Sequence, residues 1–220
     1  MTKKISIAIS GIGNRAMPKD KNKAFWSGWV DQIKKSSKYN LVAAHDISNK
    51  QLKRLVESKL LNSHQVYNNF NKMLKNEKLD AILICSPSKF HYGYIKKSLN
   101  NNLHVLVEKP LVSSFREAVE LSKHKKKKNI SVIQNWRTKD VGRILRKFIL
   151  SGKLGHVGQI FFRYIRNREN PFYPNYIFKE KFPPLYAMGI HHLDLFRYIL
   201  NDEISKVSGS FFKPKWSLYS

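Results

Sequence analysis

The run Ile5-Ser6-Ile7-Ala8-Ile9-Ser10 breaks on Gly11-Ile12-Gly13-Asn14-Arg15-Ala16, and this junction constrains the fold more than any other part of the chain. A short apolar run ending in glycine reads as a buried strand. The six residues after it, Gly11 to Ala16, fit G-x-G-x-x-G/A. The first glycine makes a tight turn, the second lets backbone approach a pyrophosphate, and the small third residue allows close packing. A bare match of this kind is weak, and its position directly after a strand gives it meaning. Met17-Pro18 interrupts the expected helix start, so the helix begins late.

The alternation of strand and helix then continues. Asn22 to Lys35 carries Phe25, Trp26, Trp29, Val30 and Ile33 at helical spacing. Leu41 to Asp46 is a second strand ending in an acid, and Asn49–Lys59 and Phe70–Asn76 read as helices. Ala81 to Cys85 is a third strand stopped by Ser86-Pro87-Ser88, and His91–Asn100 is helical. His104 to Glu108 is a fourth strand stopped by Lys109-Pro110. Ser113 or Ser114 caps a helix running to about Lys127, and Ile130 to Gln134 is a fifth strand. This pattern predicts βαβ units and a parallel sheet. Right-handed crossovers then gather Gly11, Asp46, Ser86, Glu108 and Asn135 at one edge, where ligands of open α/β sheets bind.

The pattern changes near Trp136. Thr138 to Ser151 reads as a helix with Val141, Ile144, Leu145, Phe148 and Ile149 facing inward. Gln159–Ile165 and Val207–Lys213 read as strands, 167–184 as an aromatic and proline-rich loop, and Leu185–Leu200 as a helix. The expected domains are 1–135 and 136–220.

Composition narrows the function classes. The lone Cys85 excludes an intramolecular disulfide and any multi-cysteine metal cluster, which points to a reducing, cytoplasmic setting. No apolar run approaches the roughly 20 residues of a membrane helix, and the Lys3-Lys4 start leads into a strand and not into a secretory leader. The formal charge of +26, from 41 Lys+Arg against 15 Asp+Glu, favours anionic partners. The charge recurs along the whole chain, and its densest run, Lys123 to Lys128, complements a helix C-terminus. No nucleic-acid motif accompanies it, so neither a specific nucleic acid nor a membrane is expected as partner.

The strand ends carry the candidate chemistry. Asp46 lies 33 positions after Gly13, where about 20 is usual, and an insertion at Pro18–Lys23 accounts for the excess. An acid there accepts both ribose hydroxyls of NAD and repels a 2′-phosphate. Arg15 and Lys50 keep NADP open, and a plain turn Asp is the structural alternative. The Ser86–His91 turn either meets the dinucleotide or caps its helix. Glu108 and Lys109 serve equally as a site pair or as a surface pair. On the last helix His191 and Asp194 are three apart and share a face, as a base and its orienting acid would, although helical histidines are more often structural. His192 points elsewhere, which argues against a two-His zinc site, and no metal is expected.

Together "GIGNRA" at 11–16, Asp46, "CSPSKFH" at 85–91, "VEKP" at 107–110, "GKLGHVG" at 152–158 and "GIHHLD" at 189–194 resemble the glucose–fructose oxidoreductase/inositol dehydrogenase (Gfo/Idh/MocA) family. The motifs occur in family order and cover essentially the whole chain. The resemblance implies an α/β protein: a Rossmann domain with a doubly wound parallel sheet, then an incomplete α/β domain with an open, mostly antiparallel sheet. It implies an oxidoreductase with NAD, or NADP, acting on the CH–OH of a sugar, cyclitol or related polyol. Cofactor contacts would come from Gly11, Ile12, Gly13, Asn14, Arg15, Asp46, Ser86, Pro87, His91, Glu108 and Lys109. Lys109 and His191 would be catalytic, and Arg137, Tyr176, His192 and Asp194 would meet the substrate.

Two departures stand beside it. Ala187 occupies the place, one turn before His191, where many such dehydrogenases have Asp, and Asp194 is the expected partial substitute. The second sheet stops at Ser220 just after its second strand. An edge left open there calls for a homo-oligomer or a complementing C-terminal segment.

Overall fold

The structure is a computed structural model that describes residues 3–19, 27–124, 128–164, 185–210, 212 and 215. Tyr176, with Phe172, Tyr173 and Phe178, lies outside the described residues, as do Phe25, Trp26 and Lys125 to Lys127. The chain divides into two compact units, Met1–Ile133 and Gln134–Ser220.

The first unit is built on β1 (Ile5–Ser10), β2 (Tyr39–His45), β3 (Val66–Tyr67), β4 (Ala81–Ile84), β5 (His104–Val107) and β6 (Ile130–Val132). All pairings are parallel, in the order β3-β2-β1-β4-β5-β6. This is the doubly wound order with its switch point between β1 and β4. Ile7 and Ile9 pack on one face with Val30 and Ile33 of α1 (Trp29–Lys35) and Leu52 and Leu55 of α2 (Asn49–Glu57). Ala8 and Ala43 face the other side, beneath Phe70 and Met73 of α3 (Phe70–Asn76), Ile95 and Leu99 of α4 (His91–Asn100), and Leu121 of α5 (Phe115–Ser122). A strand buried on both faces carries apolar residues toward both sides, which is why Ile7-Ala8-Ile9 and Ala81–Ile84 read as continuous apolar runs. Each buried Leu or Ile contributes about 1.5–3 kcal/mol. The start of α5 obeys its sequence signal: the Glu117 amide donates to Ser114 Oγ at 3.3 Å, and the Ser114 amide donates to Glu117 Oε2 at 3.1 Å.

The late start of α1 has a specific geometry. After Gly13 one turn forms, with the Ala16 and Met17 amides both donating to Gly13 O. The chain leaves at Met17-Pro18 and re-enters at Gly28, where the Trp29 amide donates to Arg15 O and the Val30 amide to Ala16 O. Those two bonds continue the ladder of the first turn across the excursion. Gly28 permits the splice, because a Cβ there would stand 2.4 Å from Ala16 O. Arg54 donates to the carbonyls of Met17 and Pro18, both at 3.3 Å, where the chain departs. Met17-Pro18 and Gly28 thus bracket the excursion, and residues 20–26, which include most of the expected Pro18–Lys23 insertion, lie outside the described residues.

In the second unit the described elements are helical: α6 (Asn135–Thr138), α7 (Asp140–Leu150), a π-helical turn at Leu185–Gly189 and α8 (Ile190–Leu200). Residues 159–164 and 207–210 carry no strand, and the rest of the two expected segments lies outside the described residues, so the expected antiparallel sheet is not seen among the described residues. The apolar stripe of α7 does not face inward either. Val141 is 68% and Ile144 64% exposed. The helix instead turns Gly142 toward α6, where a Cβ would stand 2.2 Å from Trp136 O. Arg146, one turn on, lies 4.6 Å over the Tyr198 ring of α8 and donates to the Tyr198 carbonyl and to Asn201 Oδ1. Among the described residues no helix is long and apolar enough to cross a membrane.

Candidate functional site

In the first unit the strand C-termini meet the Gly11–Ala16 turn at the β1/β4 switch point, the place where open α/β sheets have their ligand crevice. Gly11 has φ +91°, and a Cβ on it would lie 2.4 Å from Ser86 N, so both conformation and contact require glycine. Gly13 is the opposite case: a Cβ there meets nothing within 4 Å, and the residue is exposed. Asp46 is oriented by backbone. Its Oδ2 accepts the Ile12 amide at 2.6 Å and its Oδ1 the Ser48 amide at 2.8 Å. Beneath it, Ser10 Oγ and His45 Nδ1 are hydrogen-bonded at 2.9 Å inside the sheet, and the His45 ring meets Phe70 and Tyr94 edge-on. Burial pushes the His45 pKa below its ordinary value, outweighing the neighbouring Asp46.

Two further turns close the crevice. Ser86 Oγ is buried with no hydrogen-bond partner among the described residues. His91, 1% exposed, has Nδ1 2.8 Å from Pro110 O and Nε2 2.8 Å from Ser86 O. Its ring thus ties the Ser86-Pro87 turn to the Lys109-Pro110 turn and offers no polar atom to the crevice. Glu108 is nearly buried and accepts the Trp29 indole N–H at 3.0 Å, which anchors α1 to the end of β5. Burial raises the Cys85 thiol well above its ordinary pKa, with Glu108 adding to the effect and Arg15 opposing it. Burial thus favours the protonated thiol over the reactive thiolate.

The second unit holds a separate cluster. His191, 6% exposed, has Nδ1 2.9 Å from Gln134 Oε1 and stacks on Trp136 at 5.9 Å, with 8° between the planes. Both oxygens of Asp194 are taken bidentately by Arg137, at 2.7 Å to Nε and 2.5 Å to Nη2. A guanidinium fork matches a carboxylate better than an imidazole three residues away. That bond, with the Asp194 charge, raises the Arg137 pKa. The His192 ring is bordered by Phe162 at 4.1 Å, Trp136 at 4.8 Å and Tyr164 at 5.4 Å. Its Nε2 is buried with no hydrogen-bond partner among the described residues, and burial lowers its pKa, so the ring is neutral at pH 7. Among the described residues there is no group of three potential metal ligands.

Gln134 carries no signal in the sequence. It ends an apolar run, and nothing local reports a contact with a residue 57 positions away. Trp136, which touches both histidines, shows in the sequence only as a boundary.

Comparison with known proteins gives this geometry a family. Residues 6–135 match the GFO_IDH_MocA model, an oxidoreductase family with an NAD-binding Rossmann fold. The chain belongs to this family. Relatives of this Gfo/Idh/MocA protein include the oxidoreductase YrbE of Bacillus subtilis, 26% identical over 94% of this chain and 57% of its own length. D-glucoside 3-dehydrogenase of Escherichia coli is 29% identical over 73% of this chain and 46% of its own length. In fold the chain is similar to scyllo-inositol dehydrogenase from Lactobacillus casei with bound NAD(H) and scyllo-inositol, with a TM-score of 0.70 and 20% identity over 90% of this chain and 57% of that one. It is also similar to myo-inositol 2-dehydrogenase from Lactobacillus plantarum, with a TM-score of 0.69 and 23% identity over the same shares. The chain thus spans 57% or less of the length of each of these proteins.

NAD is the cofactor of this family's Rossmann fold, and the described residues fit it. Gly13 leaves open space where backbone must approach a pyrophosphate. Asp46 is held at the end of β2, and Ser86 Oγ, in the residue packed against Gly11, has no hydrogen-bond partner among the described residues.

Proposed function

We propose that this chain carries out NAD-dependent oxidation of a secondary alcohol in a sugar, cyclitol or related polyol, or the reverse reduction. The observation that carries the reading is the crevice itself. Gly11 is wedged against Ser86, Gly13 is open and Asp46 is aimed by two amides, a combination suited to a dinucleotide without a 2′-phosphate. Asn14, Arg15, Ser86 and Pro87 line it in this reading, while His91 and Glu108 hold its turns in place. When bound, NAD supplies the hydride acceptor. The chain's own task is the proton: the hydroxyl O–H bond breaks as the carbonyl forms, and its proton passes to His191. The Lys109 ammonium orients that hydroxyl and stabilises the negative charge developing on its oxygen. Arg137, His192 and Asp194 are the proposed substrate contacts, with Tyr176 from the loop that carries it. The relatives named as glucoside and inositol dehydrogenases support the polyol class.

A second reading, a dinucleotide-binding protein without turnover, is favoured by Ala187 in place of an acid. Screening NAD with a panel of inositols and aldoses, tracking absorbance of reduced nicotinamide, separates the two. Polyol-dependent reduction supports the dehydrogenase. Saturable NADH binding with no turnover on any polyol supports the second reading.

A further inference from the structure

The sequence leaves His191 without the acid expected one turn earlier, and the structure gives both oxygens of Asp194 to Arg137. An imidazole that is to take a proton needs its lone pair on a defined nitrogen. The defining group is an acceptor on the other nitrogen. Gln134 Oε1 lies 2.9 Å from His191 Nδ1. An amide oxygen only accepts, so Nδ1 must carry the hydrogen and Nε2 the lone pair. We propose that Gln134 is the positioning residue of this site, fixing His191 as the Nδ1–H tautomer with Nε2 as its basic nitrogen.

Three observations support the assignment. The bond is nearly shielded from water, with His191 6% exposed and Gln134 half-buried, so little solvent competes for it. Ring rotation is restrained by the nearly parallel Trp136 indole, at 8° and 5.9 Å. Gln134 itself is tied to α6, since its carbonyl accepts the Arg137 amide at 3.1 Å. Titratable and charged groups nearby on α6 and α8 have contacts of their own. Arg137 and Asp194 satisfy each other, the Lys139 ammonium stands 6.0 Å over the Trp136 ring, and His192 is neutral by burial. A neutral amide orients the base as an acid would, but adds no charge to stabilise the imidazolium. The site keeps the geometry of an acid–histidine pair and gives up part of its basicity.

The proposal rests on the dehydrogenase reading for its purpose, but its test does not. Long-range ¹⁵N–¹H spectra of the full chain labelled in histidine, with His191 assigned through His191→Asn, report the tautomer directly. Wild type should show protonated Nδ1 and unprotonated Nε2 at neutral pH. Gln134→Leu should shift His191 toward the Nε2–H form that imidazole prefers in water. Gln134→Glu should restore Nδ1–H and move the imidazole titration upward, because the imidazolium gains a carboxylate. An Nε2–H wild type overturns the proposal, as does an unchanged tautomer in Gln134→Leu. If Gln134→Leu does not fold, Gln134→Glu decides: loss of Nδ1–H or no upward titration refutes it. Where a polyol is turned over, Gln134→Leu should lower kcat by roughly a hundredfold, the low end of general-base assistance, with NADH affinity unchanged. Gln134→Glu should recover much of that rate, with its acidic limb displaced upward. A chain that turns over no polyol but shows the Nδ1–H tautomer and its Gln134 dependence sinks the dehydrogenase reading and leaves the positioning intact.

Discussion

Alanine at Gly11 and alanine at Gly13 should fail in opposite ways. At Gly11, φ is +91° and the new Cβ would lie 2.4 Å from Ser86 N and 2.7 Å from Cys85 C. These are backbone atoms next to β4, so they have little room to yield. Left-handed strain costs roughly 1–2 kcal/mol and an overpacked contact about 1–3 kcal/mol, which together make roughly 2–5 kcal/mol. For a chain of this size each kcal/mol lowers Tm by about 2–4 °C, so Gly11→Ala should melt roughly 4–20 °C earlier. At Gly13 nothing lies within 4 Å of the new Cβ. Gly13→Ala should therefore melt within about 0.5 kcal/mol of wild type while losing NADH affinity, because the methyl occupies the space the pyrophosphate needs. Melting curves and NADH fluorescence titrations on the three proteins make the comparison. A Gly11→Ala variant with wild-type Tm would refute the turn geometry. A Gly13→Ala variant that binds NADH as wild type does would refute the assignment of the open cradle.

Asp46→Ala should weaken NADH binding and narrow or reverse the preference over NADPH, because the ribose acceptor and the repulsion of a 2′-phosphate go together; an unchanged ratio in paired titrations argues against the assignment. Lys109→Ala and His191→Ala should each lower turnover by about 10²–10⁴-fold, with NADH affinity nearly intact for His191→Ala. The pKa of His45 is depressed by burial, so its contribution to stability is complete above its ordinary value of about 6.5 and is lost progressively as pH falls below that. The slope from this group cannot exceed about 1.4 kcal/mol per pH unit, and His45→Gln should flatten the fall in Tm between neutral and mildly acidic buffer; equal slopes in the two proteins contradict the buried neutral ring.

How far the sequence can be read depends on the range of the cause. The turn at Gly11 and Gly13, the acid at Asp46 and the cap at Ser114 are set by neighbours a few positions away, and their signals are visible. The two-residue β3 is not, because Val66-Tyr67 is too short to show a period. The excursion at 17–28 shows only as excess spacing, since the bond from the Trp29 amide to Arg15 O that closes it joins residues on either side of the insertion. The α7 stripe misleads for a related reason. Periodicity shows that Val141, Ile144 and Phe148 share a face, but the helix is seated by Gly142 against Trp136 and by Arg146 against Tyr198. In the site, helical spacing places Asp194 beside His191, yet a guanidinium from 57 positions away claims the acid and a glutamine takes the imidazole.

The proposed hydride transfer between a polyol carbinol carbon and NAD, with His191 taking the proton, is tested most directly by isotope transfer. Inositols and aldoses deuterated at their carbinol carbons are incubated with NAD and the chain, and the dinucleotide is recovered for mass spectrometry. Deuterium should appear in the reduced dinucleotide with wild type and fall by at least about a hundredfold with His191→Asn. Saturable NADH binding with no deuterium transferred from any of these polyols would contradict it.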